Sequence, residues 1–214
     1  MRAVPEEFDD DFDDDEDDDE LLRQWQEAEQ QAVATLREAL GGSVGAAAPD
    51  TAVAAAADRI RAGVKDRAWP YRHIADAAGW SGQPPAKDQQ CCVEAAGALI
   101  GMREDSGLDV EQSSLIMAID PAAWLGAVIG LVRAGPGARA DAGDLVGYLD
   151  ACPEVEGELD DDDADLVQSA FELILHTWEA TGVVDARHRL TGLGSWVVPR
   201  ALAWAWHGDF DAQG

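Results

Sequence analysis

The chain has 214 residues, of which 47% are apolar, and a formal net charge of −28 from 15 Lys and Arg against 43 Asp and Glu. This length and composition are sufficient to bury a full hydrophobic core. The negative charge repels phosphate at long range, which argues against non-specific attraction to nucleic acid or anionic lipid and favours basic partners. The longest apolar stretch, residues 121–132, is too short to span a bilayer, so we expect no membrane association and a cytoplasmic location.

Two acidic segments divide the chain. Residues 1–20 hold thirteen carboxylates and a single side-chain cation, and this composition predicts a disordered acidic tail because little apolar surface is present to offset the entropy cost of folding. Residues 154–165 carry eight more carboxylates and predict an acidic linker. The predicted organisation is therefore a tail (1–20), a helical domain (21–153), the linker (154–165) and a C-terminal lobe (166–214).

Apolar residues recur at three-to-four-residue spacing in most of the chain, which predicts amphipathic helices. The predicted helices cover about residues 21–40, 51–64, 70–78, 88–102, 109–119, 121–134, 142–152 and 167–181, with a last helix kinked near Pro199. Asp109 and Gln112 have the spacing of a capping box, and Asp120 and Asp88 are predicted to cap the helices that follow them. The predicted fold class is all-α, a multi-helix bundle of about eight or nine helices.

The C-terminal lobe contains a predicted β-hairpin. After a glycine that ends the preceding helix, residues 183–184 can pair with residues 190–191 across the turn 185–189. The order of long helix, glycine, hairpin with a basic tip, the sequence RLTGLG and a final helix resembles the wing and last helix of winged-helix proteins such as the MarR and PadR families. The resemblance covers about a quarter of the chain and implies that Thr191 caps the last helix. A winged-helix-like lobe can bind protein as well as nucleic acid.

A second segment, residues 74–81 with the sequence IADAAGWS, resembles the first helix and turn of helix-turn-helix modules. The following residues, 82–87, place two prolines before the next helix can start. Two helices joined by a proline-containing loop is the alternative interpretation of the same residues.

Eight of the fifteen cations lie next to these two segments, and we predict that they are nucleic-acid or partner contacts. They are Arg59, Arg61, Lys65, Arg67 and Arg72 around the first segment, and Arg187, Arg189 and Arg200 around the second. The alternative is that they lie on solvated helix faces and at the hairpin tip, where they balance neighbouring aspartates.

No catalytic, cofactor-binding or metal site is predicted. The four histidines are scattered along the chain, and the three cysteines, Cys91, Cys92 and Cys152, lack a CxxC spacing and are expected to be free thiols. Asp161, Asp163, Asp165 and Glu172 match four ligand positions of an EF-hand loop. A calcium site is nevertheless not expected, because Leu166 occupies the position where the loop requires glycine.

Four of the eight tryptophans lie in the last forty residues, where core packing is their usual role. Trp178 belongs to an apolar stripe and is expected to be buried against the last helix. Trp204 and Trp206 are two positions apart on one helix and cannot both face the same core.

The function expected from these observations is that of a non-enzymatic, acidic binding or regulatory protein that engages a basic protein partner. The alternative is a winged-helix-like nucleic-acid-binding regulator that is autoinhibited by its acidic tail. An enzyme has no motif in its support.

Overall fold

The computed structural model describes residues 14–44, 46–100, 108–117, 119–155 and 161–207. These residues are mainly helical, as predicted. The helices within these ranges are α1 (Asp14–Val44), α2 (Asp50–Lys65), α3 (Tyr71–Ala77), α4 (Asp88–Gly97), α5 (Val110–Met117), α6 (Pro121–Ala134), α7 (Ala142–Asp150), α8 (Asp161–Thr181) and α9 (Gly192–His207). Extended segments in the same ranges form isolated antiparallel β-bridges and no sheet.

Helix α1 begins earlier than predicted. Its first residue is Asp14 instead of residue 21, so part of the predicted disordered tail is helical, and residues 1–13 lie outside the described residues. Carboxylates near a helix N-terminus are stabilised by the positive end of the helix dipole, which is a physical reason for the early start. The helix is interrupted at Leu40, where φ is −121° and ψ is 16°. This residue is the predicted end of the helix.

Two predicted helix starts are confirmed by side-chain hydrogen bonds. In the capping box before α5, Asp109 Oδ1 accepts from the Gln112 N–H at 2.9 Å, and Gln112 Oε1 accepts from the Asp109 N–H at 3.4 Å. Before α6, Asp120 Oδ1 accepts from the Ala123 N–H at 2.7 Å. Each contact satisfies an N–H group that has no partner inside its helix.

The second acidic segment overlaps a helix. Helix α8 begins at Asp161, so residues 161–165 of the predicted linker form the first turns of α8, while residues 156–160 lie outside the described part of the chain. The run of aspartates again lies at a helix N-terminus, where negative charge is favourable. The acidic charge of this segment is therefore carried in part by a regular helix surface.

Helix α6 lies at the centre of the core, as its nearly continuous apolar sequence indicates. Nine of its fourteen residues are buried, and it packs against α1, α7 and α9. Trp124 of α6 is 1% exposed, and its ring meets the ring of Phe171 in α8 edge to face, with 5.2 Å between the centroids. The core therefore links the N-terminal helix to the C-terminal lobe.

The tryptophans near the C-terminus occupy different environments. Trp178 is buried as predicted, and its indole N–H donates to the Ala96 carbonyl of α4 at 3.1 Å. The hydrogen bond of this side chain thus goes to α4 and not to the last helix. Trp204 is buried and Trp206 is half-buried at the edge of the core, in agreement with their two-residue spacing.

Isolated antiparallel bridges surround the turn that follows α8. Val184 pairs with Leu190, which coincides with the predicted pairing, and Arg139 pairs with Arg189. The second bridge brings in a segment between α6 and α7 that the sequence did not indicate. We call residues 184–190 the bridged turn. The chain order is α6, the segment 137–140, α7, α8, the bridged turn and α9.

Thr191 caps α9, as the winged-helix resemblance implied. Its Oγ1 accepts from the Gly194 N–H at 2.9 Å and donates to the Gly182 carbonyl at 2.7 Å. Gly182 has a φ of 83°, in the left-handed region that glycine adopts at least cost after a helix. The hydroxyl of Thr191 therefore joins the end of α8 to the start of α9.

Candidate functional site

Two of the predicted contact cations hold the fold together at distant points. Arg59 Nε donates to the Ala180 carbonyl at the end of α8 at 3.1 Å, and the Tyr71 hydroxyl donates to the same oxygen at 3.0 Å. Arg200 is half-buried, which lowers the pKa of its guanidinium. Its guanidinium lies 4.5 Å from the ring centroid of Trp196 and donates to the Trp196 carbonyl at 2.6 Å. Both side chains are therefore hydrogen-bonded to backbone carbonyls of the protein.

Arg61 has a similar structural role. Its guanidinium donates to the carbonyls of Pro85 and Ala86 at 3.0 and 2.8 Å and to the Asp88 carboxylate at 2.8 Å. The hydrogen bond to Asp88 raises the pKa of Arg61. The prediction that Asp88 caps α4 is wrong: Lys87 occupies the cap position without a side-chain hydrogen bond, and the Asp88 carboxylate pairs with Arg61. Arg61 therefore fixes the proline-containing loop on α2.

Arg187 and Arg189, the two cations of the bridged turn, differ in their contacts with the protein. Arg189 Nη1 donates to the Gly137 carbonyl at 2.9 Å. Asp185 Oδ1 accepts from the backbone N–H groups of Arg187 and Arg189 at 2.8 and 3.0 Å, and these two bonds lower the pKa of Asp185. The Arg187 residue itself is exposed. Arg189 is exposed as well, but its guanidinium is hydrogen-bonded to the Gly137 carbonyl.

The remaining three cations surround one open cleft. Lys65, Arg67 and Arg72 line a cavity of about 730 Å³ between the end of α2 and the end of α3, and all three residues are exposed. We call this cavity the Arg67 cleft. The eight predicted cations therefore do not form one continuous basic face.

The exposed residues of helix α8 include several carboxylates and no Lys or Arg. Its 21 residues include no Lys or Arg, and polar residues occupy exposed positions at helical spacing. We define the α8 face by the exposed residues Asp165, Gln168, Glu172, His176 and Glu179. Residues separated by three, four or seven positions lie on one side of a helix. The face therefore presents three carboxylates together, those of Asp165, Glu172 and Glu179.

A second cavity adjoins this face. No sequence pattern indicates it, because the histidines that line it are far apart along the chain. The cavity measures about 430 Å³ and is lined by Asp141, Glu172, His176 and His188, among others. We call it the His176 cleft. Trp69 is not part of the lining, but it is 61% exposed and its ring meets the ring of the lining residue His176 edge to face, at 5.3 Å between centroids. Two carboxylates, two imidazoles and an exposed indole thus lie close together.

The electrostatics of the His176 cleft depend on Asp141. Burial acts to raise the pKa of this carboxyl, but hydrogen bonds from the Asp144 N–H and from Arg139 outweigh burial, and the pKa is lowered. Burial and the neighbouring Asp141 carboxylate raise the pKa of Asp144. Arg139 lies within ion-pair distance of both carboxylates, at 2.7 and 3.3 Å. Asp141 is therefore negatively charged near neutral pH.

The described residues contain no group of three or more His, Cys, Asp or Glu side chains with the geometry of a metal site. The four residues that match EF-hand positions all lie in α8. A continuous helix cannot wrap its side chains around one ion as the EF-hand loop does. Their spacing is a result of the aspartate-rich sequence.

The two adjacent cysteines are expected to be unreactive in the folded protein. Burial raises the pKa of Cys91 to about 12 and that of Cys92 to about 11, so at pH 8 only roughly 10⁻⁴ to 10⁻³ of these thiols are ionised. We expect Ellman's reagent at pH 8 to modify both slowly in native protein and all three cysteines rapidly in denaturant. Rapid modification of all three thiols in native protein would contradict this burial.

The chain matches no family model, no curated protein and no solved structure. No helix in the described ranges is long and apolar enough to cross a membrane.

Proposed function

We propose that this protein is a non-enzymatic binding or regulatory protein that engages a basic protein partner through the α8 face. The observation that carries the proposal is the charge of α8, whose 21 residues include no Lys or Arg and whose α8 face presents three carboxylates. A surface of one sign raises the association rate of partners with the opposite sign and disfavours partners with the same sign.

The His176 cleft supports the proposal by offering a place for a single basic side chain. Asp141, Glu172 and His176 line the cleft, and the exposed Trp69 ring packs edge to face against the His176 ring. A Lys or Arg side chain of the partner would pair with a carboxylate and lie over the indole face. The α8 face would then attract the partner, and the cleft would select the side chain.

The arrangement around α8 also favours a protein partner over nucleic acid. The order of α6, the segment 137–140, α7, α8, the bridged turn and α9, together with the Thr191 cap, supports a winged-helix-like C-terminal lobe. In DNA-binding helix-turn-helix proteins, the second helix enters the major groove. Here α8 would occupy that place, and its carboxylates would be brought against phosphates. A shared fold does not imply a shared ligand.

The alternative function is a winged-helix-like nucleic-acid-binding regulator that is autoinhibited by its acidic tail. Its specific support is the exposed Arg187 at the bridged turn and the three exposed cations of the Arg67 cleft. In this alternative the carboxylates of residues 1–20 compete with phosphate at high effective concentration.

The test is a titration of the full chain against a fluorescent peptide rich in Lys and Arg. We expect binding that weakens as salt rises, since screening reduces interactions between exposed charges. The charge reversal Glu172→Lys should weaken binding about tenfold, equivalent to about 1.4 kcal/mol. The control is Glu38→Lys, an exposed residue of α1, which makes the same change in net charge.

Equal weakening by both variants would show that net charge and not the α8 face governs binding, and failure of the full chain to bind the peptide would overturn the proposal. The same titration against a DNA duplex tests the alternative. If deletion of residues 1–20 tightens duplex binding and steepens its salt dependence, the autoinhibited regulator is favoured. If the truncated chain binds no duplex at low salt, that alternative is wrong.

A further inference from the structure

The Arg67 cleft concentrates positive charge in a strongly acidic protein. Lys65, Arg67 and Arg72 line it, and Asp76 is the one carboxylate in its lining. The adjacent Asp66 is exposed and is not part of the lining. The balance of three cations against one carboxylate leaves the wall of this cavity positive, while the whole chain has a net charge of −28.

The charged groups of these three side chains do not stabilise the fold within the described residues. Within the described ranges, none of them takes part in an ion pair, whereas Arg61, Arg133 and Arg139 each pair with a carboxylate. Their guanidinium and ammonium groups also lack hydrogen bonds to protein acceptors in the same ranges, in contrast to Arg59, Arg189 and Arg200. Their donors are therefore available to a ligand.

The backbone places Arg67 in a costly conformation. Its φ is 52°, in the left-handed region that residues with a side chain rarely adopt. The turn is closed by the Arg67 N–H, which donates to the Val64 carbonyl at 3.1 Å, and by the Ala68 N–H, which donates to the Gly63 carbonyl at 3.1 Å. These two bonds form a Schellman motif at the C-terminal end of α2, and this motif places Arg67 in the lining of the cleft.

Part of the lining of the cleft is apolar. Val64, Ala75 and Trp80 belong to the lining. The Trp80 indole N–H donates to Glu94 of α4 at 2.6 Å, and Glu94 also accepts from Gln90 at 2.7 Å. Because this hydrogen bond holds the largely buried indole, the part of Trp80 that lines the cleft is fixed in position.

We propose that the Arg67 cleft binds a phosphorylated small molecule with an apolar or aromatic part. A phosphate monoester carries close to two negative charges near neutral pH, which complements the charge of the lining, and guanidinium groups bind phosphate through two parallel hydrogen bonds. The apolar part of the ligand lies against Val64, Ala75 and Trp80. The volume of about 730 Å³ is within the range of small-molecule pockets. This site is independent of the α8 face.

The experiment is calorimetric titration of the full chain with phenyl phosphate, inorganic phosphate and phenol as separate probes. We expect phenyl phosphate to bind at least tenfold more tightly than inorganic phosphate because it also contacts the apolar wall, and phenol to bind weakly because it lacks the charge. Arg67→Gly removes the cation and accepts the left-handed backbone, and it should weaken phenyl phosphate binding at least tenfold. Arg72→Gln should have a similar effect.

Two control variants separate a specific site from general charge. Arg67→Lys keeps the charge but loses the planar guanidinium, so it should weaken binding less than Arg67→Gly does, while Arg187→Ala removes an exposed cation outside the cleft and should leave the affinity unchanged. The proposal is overturned if phenyl phosphate gives no saturable binding at millimolar concentration, or if Arg187→Ala weakens binding as much as Arg67→Gly does. Circular dichroism spectra of each variant show that a loss of binding is not a loss of folding.

Discussion

Truncation of Trp178 to alanine should lower the free energy of unfolding by about 3–5 kcal/mol, the range for large aromatic side chains in cores. The Trp178 residue is 1% exposed, and its indole N–H donates to the Ala96 carbonyl at 3.1 Å. The substitution would leave a cavity between α8 and α4 and remove the donor from a buried carbonyl. Denaturant unfolding followed by circular dichroism measures the change.

Two variants separate packing from the hydrogen bond. Trp178→Phe keeps an aromatic ring without the N–H and should cost less than Trp178→Ala. Trp69→Ala removes the 61% exposed tryptophan and should change the free energy of unfolding by no more than about 0.5 kcal/mol. Equal costs for Trp178→Ala and Trp69→Ala would show that the α8 to α4 contact is not part of the stable core.

The substitution Gly194→Ala should destabilise the protein by about 1–3 kcal/mol or more through overpacking. A Cβ atom at position 194 would overlap the Val183 carbonyl oxygen and lie 2.7 Å from Leu190 Cδ1. The Val183 carbonyl belongs to the backbone and cannot rotate away as a side chain can. The first turn of α9 and the segment after α8 would therefore have to move apart, which is measured as a fall in the unfolding midpoint.

The matched control for this prediction is Gly192→Ala in the same helical turn. A Cβ atom at position 192 meets no atom within 4 Å, and alanine favours helix over glycine by about 1 kcal/mol. Gly192→Ala should therefore be neutral or stabilising. If both substitutions have the same effect, the close approach of α9 to Val183 is not present in solution.

The helix starts that the sequence predicted correctly depend on short-range contacts. Asp109 bonds to Gln112, and Asp120 bonds to Ala123, each across three residues. The local chain alone brings such groups together. Asp88 has the same residue type before an apolar helix, but its carboxylate pairs with Arg61, which lies 27 residues away in the chain. A local pattern is informative only where no distant group competes for the same atoms.

The sequence by itself determined the helical class, the burial of Trp178 and the excess of negative charge, because these depend on spacing and composition. The tertiary structure decided which cations form hydrogen bonds or ion pairs within the protein and which are available to a ligand. Arg59 and Arg61 are two positions apart, yet one bonds to the end of α8 and the other to the proline-containing loop. It also brought His176 and His188 to one cleft. Such encounters depend on how helices pack and where turns reverse the chain, and the periodicity of a single segment contains no information about them.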